Sequence, residues 1–518
     1  MTTSPPDQQE RRGAFSSRRV FILAAIGSAV GLGNIWRFPY VAYENGGGAF
    51  VVPYLVALLT AGIPFLFLDY ALGHRHRGSA PLSFARQSRA TEALGWWQVG
   101  ICFMIAIYYA AVIAYAVRYT FFSVGQSWGD DPEGYFFEEF LRVEGSGITT
   151  EVVVGVLVPL LIVWAAVLLI MGLGVQNGIG ASSVVFIPLL VVAFAVLVVR
   201  SLFLPGAAAG LDQLFTPDWG ALTNASVWAA AFGQIFFSLS IGFGIMITYA
   251  SYVGRRTDMT GSGFVVGFAN SGFELLAGIG VFAALGFMAQ ANGVAVDEVV
   301  ADGIGLAFVA FPAIISEAPG GALIGVLFFG SLVIAGLTSL VSVLEVVVSA
   351  VRDKLELSRL TAVAVVGGPA ALVSLVLFST TSGLSVLDIV DYFINRFGIL
   401  LVAVVSMVVL AWFVRALPGL AGHLNRHGSI RLGRVWMALV AVVAPLALAF
   451  VLARDFLDTL DKPYGGYPGW MLGVFGWGAA GLVLVLGLVL ARLPWHRSVD
   501  LTPAGSTSHA ANDEEEAR

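Results

Sequence analysis

Charge is scarce in this 518-residue chain. Asp, Glu, Lys and Arg together make up 12% of it, about half of what a soluble domain carries. With 58% hydrophobic residues and a mean hydropathy of +0.87, that scarcity excludes a water-soluble globular protein. It leaves an all-α polytopic membrane protein whose length is set by crossings of a lipid bilayer. Cysteine is almost absent: the single Cys102 excludes a disulfide framework. Histidine is missing from every long apolar stretch, because His74, His76, His423, His427, His496 and His509 all fall between or beyond them. The plain reading of these six is polar loop or interface. No imidazole is then left in the membrane core to bind a metal or carry a proton. No Ser/His pair or paired acids occur there either, so the chain does not read as an enzyme. The net charge of −6 comes from acidic loops and a polar tail and implies no nucleic-acid partner.

What is present is a series of twelve apolar stretches, each of membrane-crossing length. They lie near 20–43, 49–73, 97–123, 151–173, 180–201, 226–250, 262–289, 321–350, 361–380, 386–414, 434–454 and 469–492. Placing both termini in the cytoplasm puts most of the 27 Lys and Arg on that side. Only Arg37, Arg118, Arg142, Arg200, Arg396, Arg454 and Lys462 fall elsewhere, which fits the positive-inside rule and an even number of crossings. The expected location is a cell (inner) membrane. The ends, 1–19 and 493–518, read as cytoplasmic tails.

The first stretch contains "GSAVGLGNIWRFPY", Gly27 to Tyr40, a poor membrane helix with three glycines, an amide, a cation and a proline. It has an echo: "SAVGLGNIW" from Ser28 is matched by "LSIGFGIMI" from Leu239, five crossings later and therefore in the opposite direction. Glycine pairs in membrane helices more often serve close packing. Here they stand at corresponding places in two halves, with polar residues beside each, which points to two broken helices at a shared site. Backbone groups freed in lipid cost several kcal/mol each, so such breaks persist only beside a cavity or ligand.

These segments, with "GGGAFVVPY" (46–54), "GQIFFSLSIGFGIMITYASY" (233–252), "AGLTSLVSVLE" (335–345) and "FPAIISEAPGG" (311–321), resemble the signature blocks and outer re-entrant loop of the neurotransmitter:sodium symporter family. The resemblance runs from about Arg12 to the twelfth stretch. It implies a LeuT-type fold with a 5+5 inverted repeat: 20–202 as the first half, 203–225 as an outer loop, 226–414 as the second half, and 415–492 as a cytoplasmic loop with two peripheral spans. It also implies sodium-driven uptake of a small amine or amino acid.

The resemblance further implies two sodium sites. One uses the Ala29 carbonyl with Asn34, Ser238, Asn270 and the substrate carboxylate. The other uses the carbonyls of Gly27, Val30 and Ala335 with the hydroxyls of Thr338 and Ser339. A lone Asn in a membrane helix is usually interhelical glue, and Ser or Thr there usually bonds its own helix; position beside the breaks sets these apart. The implied substrate site takes the carboxylate at Ala29, Gly31, Leu32, Gly33 and Tyr109 and the amino group near Phe237, Ser238 and Ser240. Ile105, Tyr109, Phe237, Phe243, Ser339 and Val343 enclose the side chain.

Amine-transporting relatives carry Asp at position 31. Gly31 leaves that carboxylate to the substrate, and the apolar pocket then favours a neutral, hydrophobic α-amino acid. An amine or osmolyte, or a sensor that does not transport, is the alternative. Chloride-dependent relatives end their anion site on a small hydroxyl where this chain has Glu274. Tyr54, Gln234, Ser238 and Asn270 match the rest. An anion beside a carboxylate is repelled, so no chloride is expected and Glu274 is a candidate proton carrier. The implied outer gate is Arg37 with Asp391, under a lid of Tyr109 and Phe243; the inner gate is Arg12, Asp353, Ser251 and Tyr252. Phe15 stands where relatives have Trp. Asp69, Glu345 and Arg396 are left without a role.

Overall fold

The computed structural model describes residues 13–144, 147–299 and 303–502. Arg12, one of the expected inner-gate residues, lies outside them. The described residues form a helical bundle with ten helices long and apolar enough to cross a membrane. In chain order the helices are α1 (Arg18–Ala29), α2 (Leu32–Glu44), α3 (Gly48–His76), α4 (Arg89–Gly125), α5 (Val154–Gly172) and α6 (Val175–Leu202). Then come α7 (Ala225–Ser238), α8 (Ile245–Ala250), α9 (Met259–Asn292), α10 (Gly303–Glu317), α11 (Gly321–Leu355) and α12 (Arg359–Phe378). The series ends with α13 (Gly383–Phe413), α14 (Arg434–Gly466) and α15 (Gly469–Arg492).

The pair α1 and α2 meets at a 55° bend and counts as an eleventh crossing if taken as one. The stretch expected as a single span at 226–250 is two pieces, α7 and α8, separated by six non-helical residues. Helix α10, in the region expected to be re-entrant, is too short to cross by itself.

Burial separates centre from periphery. The most apolar stretch of α4 is 78% buried, whereas that of α15 is 22% buried and faces outward with Leu482, Val485, Leu488 and Val489. With no water outside to drive them inward, apolar side chains are free to face lipid, so composition alone does not say which helices are central. Small residues do. Glycines at the main crossings leave no room for a side chain: a Cβ on Gly336 of α11 would lie 2.6 Å from Ile113 of α4, and one on Gly73 of α3 would lie 1.9 Å from the Ile247 carbonyl of α8.

The helix starts follow ordinary capping chemistry. Ser17 Oγ accepts from Val20 N at 3.3 Å, Asp258 from Gly261 N at 2.9 Å and Ser358 from Thr361 N at 3.2 Å. Asp258 also accepts from Ser429 N and pairs with Arg18. Against its partial burial, these backbone donors hold the Asp258 carboxyl below its usual range.

The histidines depart from the plain reading. His74 and His76 are buried, and His74 Nδ1 lies 2.9 Å from His423 Nε2 while its Nε2 meets the Gly254 carbonyl. Burial, with neighbouring His74, Arg75 and Arg426, pushes the His423 imidazole down to about 3. The short helix Leu417–Asn425 lies against the end of α3, and His74 and His423 meet there 349 residues apart in sequence, which no local pattern signals.

Candidate functional site

The first break is shorter than its three glycines suggest. Helix α1 ends at Ala29, Val30 and Gly31 are extended, and α2 begins at Leu32. Gly31 is the N-cap of α2, and its N–H donates to Asn34 Oδ1 at 2.8 Å. Leu32 N donates to the Tyr109 phenol at 3.3 Å, so two amide groups left over at the bend are met by side chains. Gly33 is helical. Its glycine serves a different need, because a Cβ there would sit 2.1 Å from Cε1 of Phe237: the ring occupies the space of a side chain.

The second break runs from Leu239 to Gly244. Ser240, Gly242 and Gly244 all have positive φ, +53°, +85° and +90°, a conformation that costs an L side chain roughly 1–2 kcal/mol. Ser240 Oγ donates to the Ser28 carbonyl at 2.8 Å, tying this break to the first. Gly242 N donates to the buried Asp69 at 3.3 Å, which gives Asp69 the role that sequence reasoning left open. The Cys102 thiol donates to the Phe243 carbonyl at 3.0 Å.

Between the breaks runs a buried chain of neutral polar groups. Asn34 Nδ2 donates to Asn270 Oδ1 at 2.8 Å, and Asn270 Nδ2 donates to Ser238 Oγ at 3.1 Å. On the other flank, Ser339 Oγ reaches the carbonyls of Ser28 and Gly27 at 3.3 and 3.4 Å. Thr338 Oγ1 bonds its own helix at Ile334, although its Cβ is 3.4 Å from where a Cβ on Gly27 would lie. Ser28 and Ser342, absent from the expected set, meet at 2.9 Å in the same place. Small polar residues at α1 and α11 crossings were the available signal. Among the described residues no group of three or more His, Cys, Asp or Glu could hold a metal. Carbonyls, hydroxyls and amides are what a hard monovalent cation takes instead.

A cavity of about 790 Å³ reaches this point from one end of the bundle. Leu32, Gly33, Tyr109 and Phe237 lie at its inner limit, and Arg37, Asp388, Asp391, Asn395 and Arg396 line its walls. The aromatic that accompanies Tyr109 there is Phe237, with the Arg37 guanidinium 4.4 Å from its ring centroid, and not Phe243, which was expected as the lid. Phe243, Ile105, Ser339 and Val343 are buried and do not line the cavity. Phe243 stands between the left-handed Gly242 and Gly244, and its backbone carbonyl is held by Cys102 of α4.

Arg396 also gains an account. It pairs with Asp455 of α14 at 3.4 Å and lies 4.4 Å from the Tyr392 ring centroid, on a π-helical turn of α13 at Ile394–Ile399. Asn395 Nδ2 donates to Asp391 at 2.7 Å.

A second buried carboxylate lies beside the polar chain. Glu274 accepts from the Tyr54 phenol and from Gln234 Nε2 at 2.6 Å, and Ser271 lies 2.8 Å from the Tyr54 oxygen. Tyr54, Gln234 and Glu274, on α3, α7 and α9, are buried, and Ser271 is partly exposed.

At the opposite end of the bundle, Tyr252 donates to Glu345 at 2.6 Å, and Arg359 pairs with the same carboxylate at 2.7 Å. Asp353 accepts from Ser79 N at 2.8 Å, while Ser251 donates within its own turn to Thr248. Ser251, Tyr252 and Asp353 thus lie at one end of the bundle, and Arg12 lies outside the described residues. Phe15 packs its ring against Tyr249 and Tyr252 and donates its N–H to the Tyr252 carbonyl.

Comparison with known proteins gives a consistent picture. The sequence profile of the sodium:neurotransmitter symporter family matches residues 12–131 and 126–496. An uncharacterized sodium-dependent transporter of Methanocaldococcus jannaschii is 41% identical over 93% of this chain and 98% of its own length. A sodium- and chloride-dependent glycine transporter 2 of Xenopus laevis is 28% identical over 91% of this chain and 68% of its own. The human sodium- and chloride-dependent neutral and basic amino acid transporter B(0+) is 28% identical over 91% and 84%.

Proposed function

The chain belongs to the sodium:neurotransmitter symporter family, a family of secondary transporters and not of enzymes, and from that premise we propose that it is a chloride-independent, sodium-coupled symporter of a neutral, hydrophobic α-amino acid. The observation that carries the substrate class is Gly31. A Cβ at this position would lie 3.0 Å from Ser339 Oγ and 3.2 Å from the Tyr109 hydroxyl. The niche is therefore small, polar and uncharged, with hydroxyls where the substrate's own carboxylate would be received.

In this reading a sodium ion is held by the Ala29 carbonyl, Asn34, Ser238, Asn270 and the substrate carboxylate. A second is held by Gly27, Val30, Ala335, Thr338 and Ser339. Sharing one carboxylate between substrate and ion makes each raise the other's affinity, which is the coupling. The cavity beside Arg37 and Asp391 opens outward, and the Asp353 end faces the cytoplasm with both termini. The segments 20–202 and 226–414 are the inverted repeats, with α7 and α8 as the two halves of one crossing, which brings the crossings to twelve. The bundle around the two broken helices rocks against the rest to expose the site alternately.

Glu274 supports chloride independence. Two hydrogen-bond donors, Tyr54 and Gln234, already converge on its oxygens; they are the kind of donors an anion needs. The carboxylate supplies a fixed negative charge there.

Sodium-gradient-driven uptake by the purified chain in liposomes, across the twenty amino acids, tests the proposal. Accumulation of neutral hydrophobic amino acids that vanishes in choline, and weaker competition by the decarboxylated amines, is the expected result. Binding without accumulation would sink transport in favour of a sensor. Replacing chloride with gluconate should leave uptake unchanged, while a Glu274→Ser variant should require chloride. Indifference of that variant to chloride would remove Glu274 from this role.

A further inference from the structure

Helix α4 turns one stripe of residues toward the two breaks: Tyr109, Ile105, Cys102 and Gln98, spaced three or four apart. Tyr109 meets the first break at Leu32 N, and Cys102 meets the second at the Phe243 carbonyl. Gln98, one turn further from the cavity, is fully buried. Neither its Nε2 nor its Oε1 has a hydrogen-bond partner among the described residues. A Cβ on Gly244 would lie 3.3 Å from its Oε1, so the amide abuts the second break at a residue held at φ +90°. A buried amide with both ends unpaired is costly. In a protein with two working conformations, such a cost in one is explained by a partner in the other.

We propose that Gln98 is a positioning residue for the inward-facing state, in which its Nε2 donates to the Phe243 carbonyl in place of the Cys102 thiol. The inference rests on the alternating-access reading of the site. The exchange is chemically reasonable on three counts. An amide N–H is a stronger donor than a thiol. Both donors lie on the same face of α4, one turn apart, so the acceptor passes between them when the second break slides toward the cytoplasmic end. No charge is moved, so the step avoids the desolvation penalty of a buried ion. In the conformation seen here the thiol holds the second break, and Gln98 stores the cost that its release would recover.

The exchange has a built-in reporter, because Cys102 is the only thiol in the chain. The rate of its alkylation by N-ethylmaleimide is measured on the purified full chain, in sodium with substrate and in potassium. Wild type should react slowly in sodium and at least tenfold faster in potassium. Gln98→Leu should melt at a higher temperature in sodium, because the unpaired amide is gone. The same variant should react about tenfold more slowly than wild type in potassium, and its kcat should fall about tenfold without a rise in KM, the signature of a lost conformational step rather than lost binding. Gln98→Met, similar in length and unable to hydrogen-bond as a donor, carries the same expectations if the leucine variant does not fold.

Equal alkylation of wild type in the two salts, or unchanged potassium reactivity and kcat in the variants, would overturn the proposal. A lowered melting temperature with unchanged reactivity would assign Gln98 to packing or to an ordered water. Wild-type uptake is the separate control: its absence would overturn the transport reading and leave the alkylation contrast to be judged by itself.

Discussion

The two breaks solve one problem in different ways. Both interrupt a helix inside an apolar bundle, and both must satisfy the backbone groups they free. The first does so with two extended residues and side chains from the same and neighbouring helices: Asn34 caps Gly31 and Tyr109 meets Leu32. Its φ values are ordinary. The second spans six residues, three of them left-handed, and leans on Asp69 and Cys102 from other helices. The first is therefore a preset niche whose chemistry depends on side chains. The second is a hinge whose geometry depends on glycine.

Four substitutions would sharpen or break that comparison. The largest effect is expected from Gly31→Asp. The backbone there suits any residue, so the protein should fold. The new carboxylate would face the substrate's own, and a buried unpaired charge costs about 3–5 kcal/mol, which corresponds to loss of sodium-driven amino acid uptake by about 100-fold or more. Uptake near wild type would mean the niche does not receive a carboxylate.

A smaller effect is expected from Gly242→Ala, which puts a Cβ at φ +85° and 3.1 Å from Ala403 Cβ. It should lower stability by about 1–2 kcal/mol, read as a lower melting temperature. Gly31→Ala, at φ −125°, carries no such backbone strain, and its Cβ would press only on the hydroxyls of Ser339 and Tyr109, so it should lower the melting temperature less than Gly242→Ala does. Equal losses at the two glycines would erase the distinction between niche and hinge.

The smallest effect is expected from Arg396→Ala. Arg396 and Asp455 are 38% and 21% exposed, and a solvent-accessible pair contributes about 0–1 kcal/mol. Melting should barely move, and any change should shrink at high salt.

How much of this was readable from the chain depended on how local the signal was. The glycines, Asn34 and Ser238 stand beside the breaks in sequence, and Asn270 is a lone amide in an apolar helix, so each drew attention by itself. Asp69, Glu345 and Arg396 were visible as anomalies but had no visible partners, because those are Gly242, Arg359 with Tyr252, and Asp455, none of them on the helix of the residue it meets. Gly33 was read as a second breaker, yet it is helical and makes room for the Phe237 ring. A glycine's sequence does not distinguish freedom of backbone from clearance for a neighbour. Phe237 and Phe243 both belong to the expected pocket, and only Phe237 lines the cavity. Which of two aromatics flanking an unwound segment faces a cavity is not set by their residue types. The His74–His423 contact needed two helices distant in sequence to be docked before it could exist.

The cavity walls carry one more consequence. Arg37, Arg396 and Arg454 share them with Glu44, Asp388, Asp391 and Asp455, three cations among four anions in about 790 Å³. At this spacing the opposite charges cancel each other's field beyond roughly one Debye length, about 8 Å in physiological salt. The entrance thus has strong local dipoles and almost no long-range pull. A net-neutral zwitterion would be drawn in by orientation at close range and not by attraction at a distance. Its capture rate, at constant sodium, should be nearly flat with ionic strength, unlike that of a charged ligand guided by a one-signed funnel.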